Sequence, residues 1–122
     1  MKSYTDIVQS KKLAKILSPE SADYCWGIDD ETLHYNNSPY PCAWKDYTCK
    51  EYYIPCWSLV ALLSVLPDSI YDNTNEYSQL EFSKISVAYH DMNGGIKVGS
   101  IKDNLIDACY EMILKLHEFN LL

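Results

Sequence analysis

The sequence predicts an α+β fold: a small antiparallel sheet packed against a central buried helix and a C-terminal amphipathic helix, with an N-terminal helix and a long aromatic loop. Three observations lead there. The most apolar run of the chain, Ile54 to Pro67, carries a proline near each margin. Between residues 80 and 98 apolar and polar residues alternate, the period of a half-buried strand. Beyond Ser100 the period changes to that of a helix, and a strand region followed by a helix is the α+β pattern. At 122 residues the chain reads as a single domain, 1–122, and its 48% hydrophobic content supplies a core.

The first helix is predicted over residues 5–17, capped by Thr5 or Ser10, with Leu13, Ile16 and Leu17 as its apolar stripe. Ser18-Pro19-Glu20-Ser21 stops it or starts a short extra turn. Residues 22–53 hold two of the three tryptophans, six of the eleven tyrosines and three of the five cysteines. Tyr24 to Ile28 and Thr32 to Tyr35 read as short strands around Asp29-Asp30, and Asn36-Asn37-Ser38 as a turn. From Ser38 to Tyr53 no period holds, so this stretch is expected to be an ordered irregular loop.

Pro55 suits the first turn of the central helix, since its fixed φ is helical and its missing N–H is needed by no partner there. Pro67 ends it. Trp57, Val60, Leu63 and Leu66 share a face that Leu59, Leu62 and Val65 widen. Residues 68–77 read as a polar connection. Leu80 and Phe82, then Ile85, Val87 and Tyr89, alternate as strands do; Asn93-Gly94-Gly95 supplies a hairpin turn, and Ile96 and Val98 the return strand. Asp103 caps a last helix reaching about Phe119, with Leu105, Cys109, Met112, Leu116 and Phe119 on one face and Asp107, Glu111, Lys115 and Glu118 on the other. The expected core is Trp57, Leu63, Leu66, Met112, Ile113 and Leu116.

Charge narrows the function. The net charge is −7, and every basic residue is lysine. Tracking phosphates requires a positive field and favours the guanidinium fork, so nucleic acid and acidic membrane surfaces are poor partners. No run reaches the ~20 apolar residues of a membrane span. The polar start and an odd number of cysteines point to reduced thiols in the cytoplasm.

Motifs for catalysis are weak. Cys42, Cys49 and Cys56 recur at every seventh residue, without the close pair that a zinc turn needs, so no metal, with or without His34, His90 or His117, is expected. Cys56 at a helix N-terminus would have a lowered pKa, but no base is placed to orient it; the simpler reading is a thiol packed beside Trp57. Asp29-Asp30-Glu31 lacks the spacing of a calcium loop. The chain is therefore read as a non-enzyme with no cofactor. The strongest candidates for binding are the aromatics Tyr24, Trp26, Tyr40, Trp44, Tyr47, Tyr52 and Tyr53, because such side chains concentrate at contact surfaces. The competing reading is a lid folded over the core.

Four segments carry a resemblance: Ser10-Lys11-Lys12-Leu13-Ala14, Glu20-Ser21-Ala22-Asp23, Ile54 through Pro67, and Asp103-Asn104 through Glu118. In this order and spacing the chain resembles a family of small uncharacterised proteins encoded by gut Bacteroidales, their phages and other mobile elements. It departs from the pattern at Tyr24, where methionine is expected, and at Leu105, where proline is expected. The resemblance implies a mobile-element context and no activity. The expected function is that of an accessory interaction module, which binds a host protein or itself as a homodimer. The alternatives are a sponge for a signalling metabolite and an acidic DNA mimic.

Overall fold

A computed structural model describes residues 2–28, 34–42, 53–71 and 76–122. The fold is α+β. The chain divides into two compact units, Ser3–Ala61 and Leu62–Leu122 with Met1–Lys2.

In the first unit, helix α1 spans Ile7–Leu13. Its cap is Asp6, not Thr5 or Ser10: the Asp6 carboxylate accepts from the Gln9 N–H at 2.8 Å, and the Gln9 side chain accepts from the Asp6 N–H at 3.1 Å. This reciprocal pair satisfies two donors that helical bonds leave over. The helix is shorter than the predicted 5–17: at Lys15 and Ile16 the bonds tighten to i→i−3, onto the Lys12 and Leu13 carbonyls. Pro19–Ser21 forms a single 3₁₀ turn. Strands β1 (Tyr24–Gly27), β2 (Tyr40–Pro41) and β3 (Tyr53–Cys56) make an antiparallel sheet in the order β2-β1-β3. Tyr35 adds a lone bridge to Ile28. The expected Asp29-Asp30 turn and most of the expected loop, residues 43–52, lie outside the described residues.

The central helix is the main correction. Residues 53–56 are strand, and helix α2 spans only Leu59–Val65. Pro55 pairs with Cys25 across the sheet. Strand β3 is an edge, where a residue without an N–H costs no ladder bond if its nitrogen faces outward. Ser58 starts α2 instead: its hydroxyl accepts from the Ala61 N–H at 3.3 Å and donates to the Asp23 carboxylate, whose other oxygen takes the Ser58 N–H at 2.9 Å. Ala61, Leu62 and Leu66 are buried, Leu63 only half-buried, and Val60 is 72% exposed. The apolar run therefore has a wet side, and Leu63 is not a core residue.

Thr5 organises the first unit. It is fully buried. Its N–H donates to the Trp57 carbonyl at 3.0 Å, and its hydroxyl accepts from the Trp57 N–H at 3.1 Å. Its carbonyl accepts from the Trp26 indole at 3.1 Å and the Cys56 thiol at 3.3 Å. The hydroxyl also meets that of Ser10 at 2.7 Å.

In the second unit, strands β4 (Ser69–Tyr71), β5 (Tyr77–Phe82), β6 (Ser86–Asp91) and β7 (Ile96–Ile101) form a meander in that order. The expected polar connection thus contains a strand, and the expected strand 80–89 is two strands. Their turn closes with the Ser83 N–H on the Ser86 carbonyl at 2.8 Å. Gly94 takes φ +83° in the predicted β6–β7 turn, where the Asp91 carboxylate collects the N–H groups of Asn93 and Gly95. Helix α3 spans Leu105–Glu118, capped by Asn104 and not Asp103, and lies against β6 and β7. Ile106, Cys109, Met112, Ile113 and Leu116 are buried on it; Val87 and Tyr89 are buried on β6, with the Tyr89 hydroxyl donating to the Pro67 carbonyl at 2.6 Å. The buried Ser100 hydroxyl has no hydrogen-bond partner among the described residues.

Thr5→Val keeps the shape but strands the Trp57 N–H, and is expected to lower unfolding free energy by about 1–3 kcal/mol in denaturant titrations. Ser100→Ala is expected to leave stability unchanged or raise it by up to ~1 kcal/mol, because it removes a buried hydroxyl that gains no bond.

Candidate functional site

The predicted aromatic site divides in two. Along β1, Tyr24 and Trp26 share one face, opposite Cys56 and Ile54, while Cys25 and Gly27 take the other, opposite Pro55 and Tyr53. Tyr40 pairs with Cys25. Tyr24 and Trp26 therefore lie on one side of the sheet, and Tyr40 and Tyr53 on the other.

The first pair packs under the N-terminal segment. Tyr4 meets Tyr24 at 5.8 Å between ring centroids and Trp26 edge-on at 6.2 Å. Trp26 is buried with its N–H held by Thr5, so it anchors the unit and presents little to a partner. The second pair, Tyr40 and Tyr53, meets edge-to-face at 6.3 Å. Tyr40 lies across Gly27: a Cβ at Gly27 would come within 2.7 Å of the Tyr40 hydroxyl. Burial first, then hydrogen bonding with Cys25, pushes that hydroxyl's pKa well above its ordinary value. Trp44, Tyr47 and Tyr52 lie outside the described residues.

The described cysteines, Cys25, Cys42, Cys56 and Cys109, are unbridged. Cys56 sits in a strand, not at a helix N-terminus, so no dipole favours its thiolate. Burial pushes its pKa up to about 11, against smaller lowering by bonds with Thr5 and Ser10. Burial also takes Cys42 and Cys109 up to about 12. At neutral pH these thiols are protonated and poor nucleophiles. Among the described residues, no three His, Cys, Asp or Glu side chains are placed to share a metal ion. No described helix is long and apolar enough to cross a membrane.

The surface that sequence reasoning missed is the face of the four-stranded sheet turned away from α3. Pairing places Ser86 opposite Ile101, Ala88 opposite Gly99, and His90 opposite Ile96. These six residues, with Val87 and Ser100, line a groove of about 490 Å³. Its floor is low because Gly99 has no side chain; a Cβ there would lie 3.3 Å from Ile96 and 3.6 Å from the Ala88 methyl. Across the sheet Tyr71 pairs with Tyr77, their rings 5.6 Å apart. Tyr71, Tyr77, Ile96 and Ile101 are all exposed. A bulge between Tyr89 and His90 hid this face from the sequence. Simple alternation puts Ile96 with Val98, but the irregular register turns Ile96 to the Gly99 side. His90 contributes the groove's imidazole and stands 3.4 Å from Glu81.

Comparison with known proteins returns no matching family model, curated sequence or solved structure.

The raised thiols set a pH dependence. Their folded pKa values lie above the ordinary 9.0, so the folded state holds protons that the unfolded state releases. Stability from this source is complete below about pH 9 and is expected to fall as pH rises from about 9 towards 11–12. Urea midpoints measured across that range check the slope, and Cys109→Ala should flatten it.

Proposed function

We propose that the chain is a non-enzymatic protein-interaction module, an accessory protein of a phage or mobile element that works in the cytoplasm on a host protein or on itself. The observation that carries this reading is the outer face of the β4–β7 sheet. Ile96 and Ile101 stand exposed beside a groove floored by Ala88 and Gly99, and the exposed Tyr71–Tyr77 pair stands on the same face beyond Gln79 and Glu81. Surfaces of this kind mark contact sites. The protonated thiols support contact over covalent chemistry.

The groove's volume also falls in the range of small-molecule pockets, which favours a metabolite sponge as the second reading. The further exposed pair Tyr71 and Tyr77 on the same face extends the contact beyond the groove and suits a macromolecular partner better. A DNA mimic is disfavoured because lysines are interspersed among the carboxylates and pair with some of them: Asp107 with Lys2 at 2.7 Å, Glu76 with Lys97 at 2.7 Å and Glu111 with Lys102 at 2.8 Å.

The test is capture on the immobilised chain, from bacterial lysate and from a solution of the untagged chain, with Ile96→Asp as the control. Ile96 is exposed, so the melting temperature should stay within about 2 °C. The expected result is a polypeptide retained by the native chain and lost by the variant. A small molecule released on denaturation, with no protein retained, would transfer the assignment to the second reading.

A further inference from the structure

We infer that the outer face of the β4–β7 sheet seats a second copy of this chain, packed sheet on sheet about a two-fold axis. The inference rests on the interaction-module reading and names its partner.

The sheet first excludes another mode of association, strand addition at its edge. The Lys102 N–H bonds the Ile85 carbonyl at 3.0 Å. Antiparallel ladders alternate bonded and non-bonded pairs, so counting back from that bond turns the Gly99 carbonyl away from β6. There the Lys115 ammonium takes it at 2.6 Å. A helix side chain that occupies an edge carbonyl takes the acceptor an incoming strand would need. The opposite edge, β4, is only three residues long. The face is therefore more available than the edges.

The face also carries both halves of a self-complementary contact. The Tyr71–Tyr77 pair is a projection on β4 and β5, and the Ala88–Gly99 floor is a hollow on β6 and β7. A two-fold axis lying in the contact plane, midway between projection and hollow, exchanges the two. Each copy then fills the other's hollow, and one complementary contact is made twice, as in an isologous dimer.

The area is adequate. At roughly 200 Å² of surface per large side chain, exposures of 58% for Tyr71, 39% for Tyr77, 64% for Ile96 and 73% for Ile101 leave about 450 Å² of apolar surface per copy. A standard interface takes about 800 Å² per partner, a little over half of it apolar. Lys97 and Glu76 pair at 2.7 Å, and the Glu81 carboxylate has the His90 imidazole 3.4 Å away, so each of these charged groups keeps a polar neighbour when the face closes.

Each copy carries a net charge of −7, which opposes association at long range. Added salt screens that repulsion, so the dimer should tighten between low and moderate ionic strength. Sedimentation equilibrium of the full chain tests the proposal, at two salt concentrations, on the native chain, Ile101→Asp and Gly99→Val. Ile101→Asp puts a carboxylate into the contact; Gly99→Val fills the hollow with a residue that strands favour. The expected result is a concentration-dependent dimer, weakened at least about tenfold by each variant, with far-UV circular dichroism unchanged. A chain that stays monomeric at about 100 μM, roughly where weak dimers still form, overturns the proposal. So does a dimer indifferent to both variants. If a monomeric chain still loses another protein on Ile96→Asp, the dimer is refuted and the interaction module stands; if neither a second copy nor another protein is held, both fail.

Discussion

One buried threonine holds the first unit together. Thr5 uses its N–H, carbonyl and hydroxyl at once, and its partners come from β1, β3, α1 and the segment after β3. Such a residue cannot be exchanged for an apolar one at equal burial, because its neighbours would keep their polar atoms without partners. It also explains why Asp6 and not Thr5 caps α1. The Thr5 hydroxyl is occupied by Trp57 and Ser10, so the next oxygen along the chain faces the helix N-terminus.

What was legible in the sequence was periodicity over long stretches. Helix α3 follows its apolar repeat, and the Asn93-Gly94-Gly95 turn falls where its glycines allow positive φ. Short elements were harder. The turn between β5 and β6 contains no glycine, proline or asparagine; its trace is a slip in phase, from even positions at Leu80 and Phe82 to odd ones at Ile85, Val87 and Tyr89. Prolines misled in the other direction. Pro55 fits a helix start and an outer strand equally well, and its position on the edge of the β1–β3 sheet decides between them.

The candidate surfaces show the same limit. Tyr24 and Trp26 are alike in character to Tyr40 and Tyr53, but strand parity sends the pairs to opposite faces. Parity cannot be read until the register is known. On the β4–β7 sheet a single bulge reverses the expectation for Ile96, and an absent side chain at Gly99 makes the groove. The lone glycine within a strand pattern was the available signal, but it does not say on which face the gap opens. Of the exposed apolar residues there, Ile96 was legible as part of a strand, but not the way it faces; Tyr71 and Tyr77 fell in the expected polar connection and lie in strands instead.

The Lys115 tie to Gly99 has a consequence for the order of folding. It joins α3 to β7 across sixteen residues, whereas the Thr5–Trp57 bonds close fifty-two. Loop-closure entropy makes the longer closure more costly by about 1 kcal/mol. Lys102 and Lys115 also converge on Glu111, whose carboxyl the Lys102 ammonium holds below its ordinary pKa, so the strand end and the helix are linked by charge as well. The β6–β7–α3 segment thus has a low-entropy route to its own contacts. It can take shape while the chain ahead of it is still searching for the partner of Thr5, and the two halves of this sequence need not fold at the same pace.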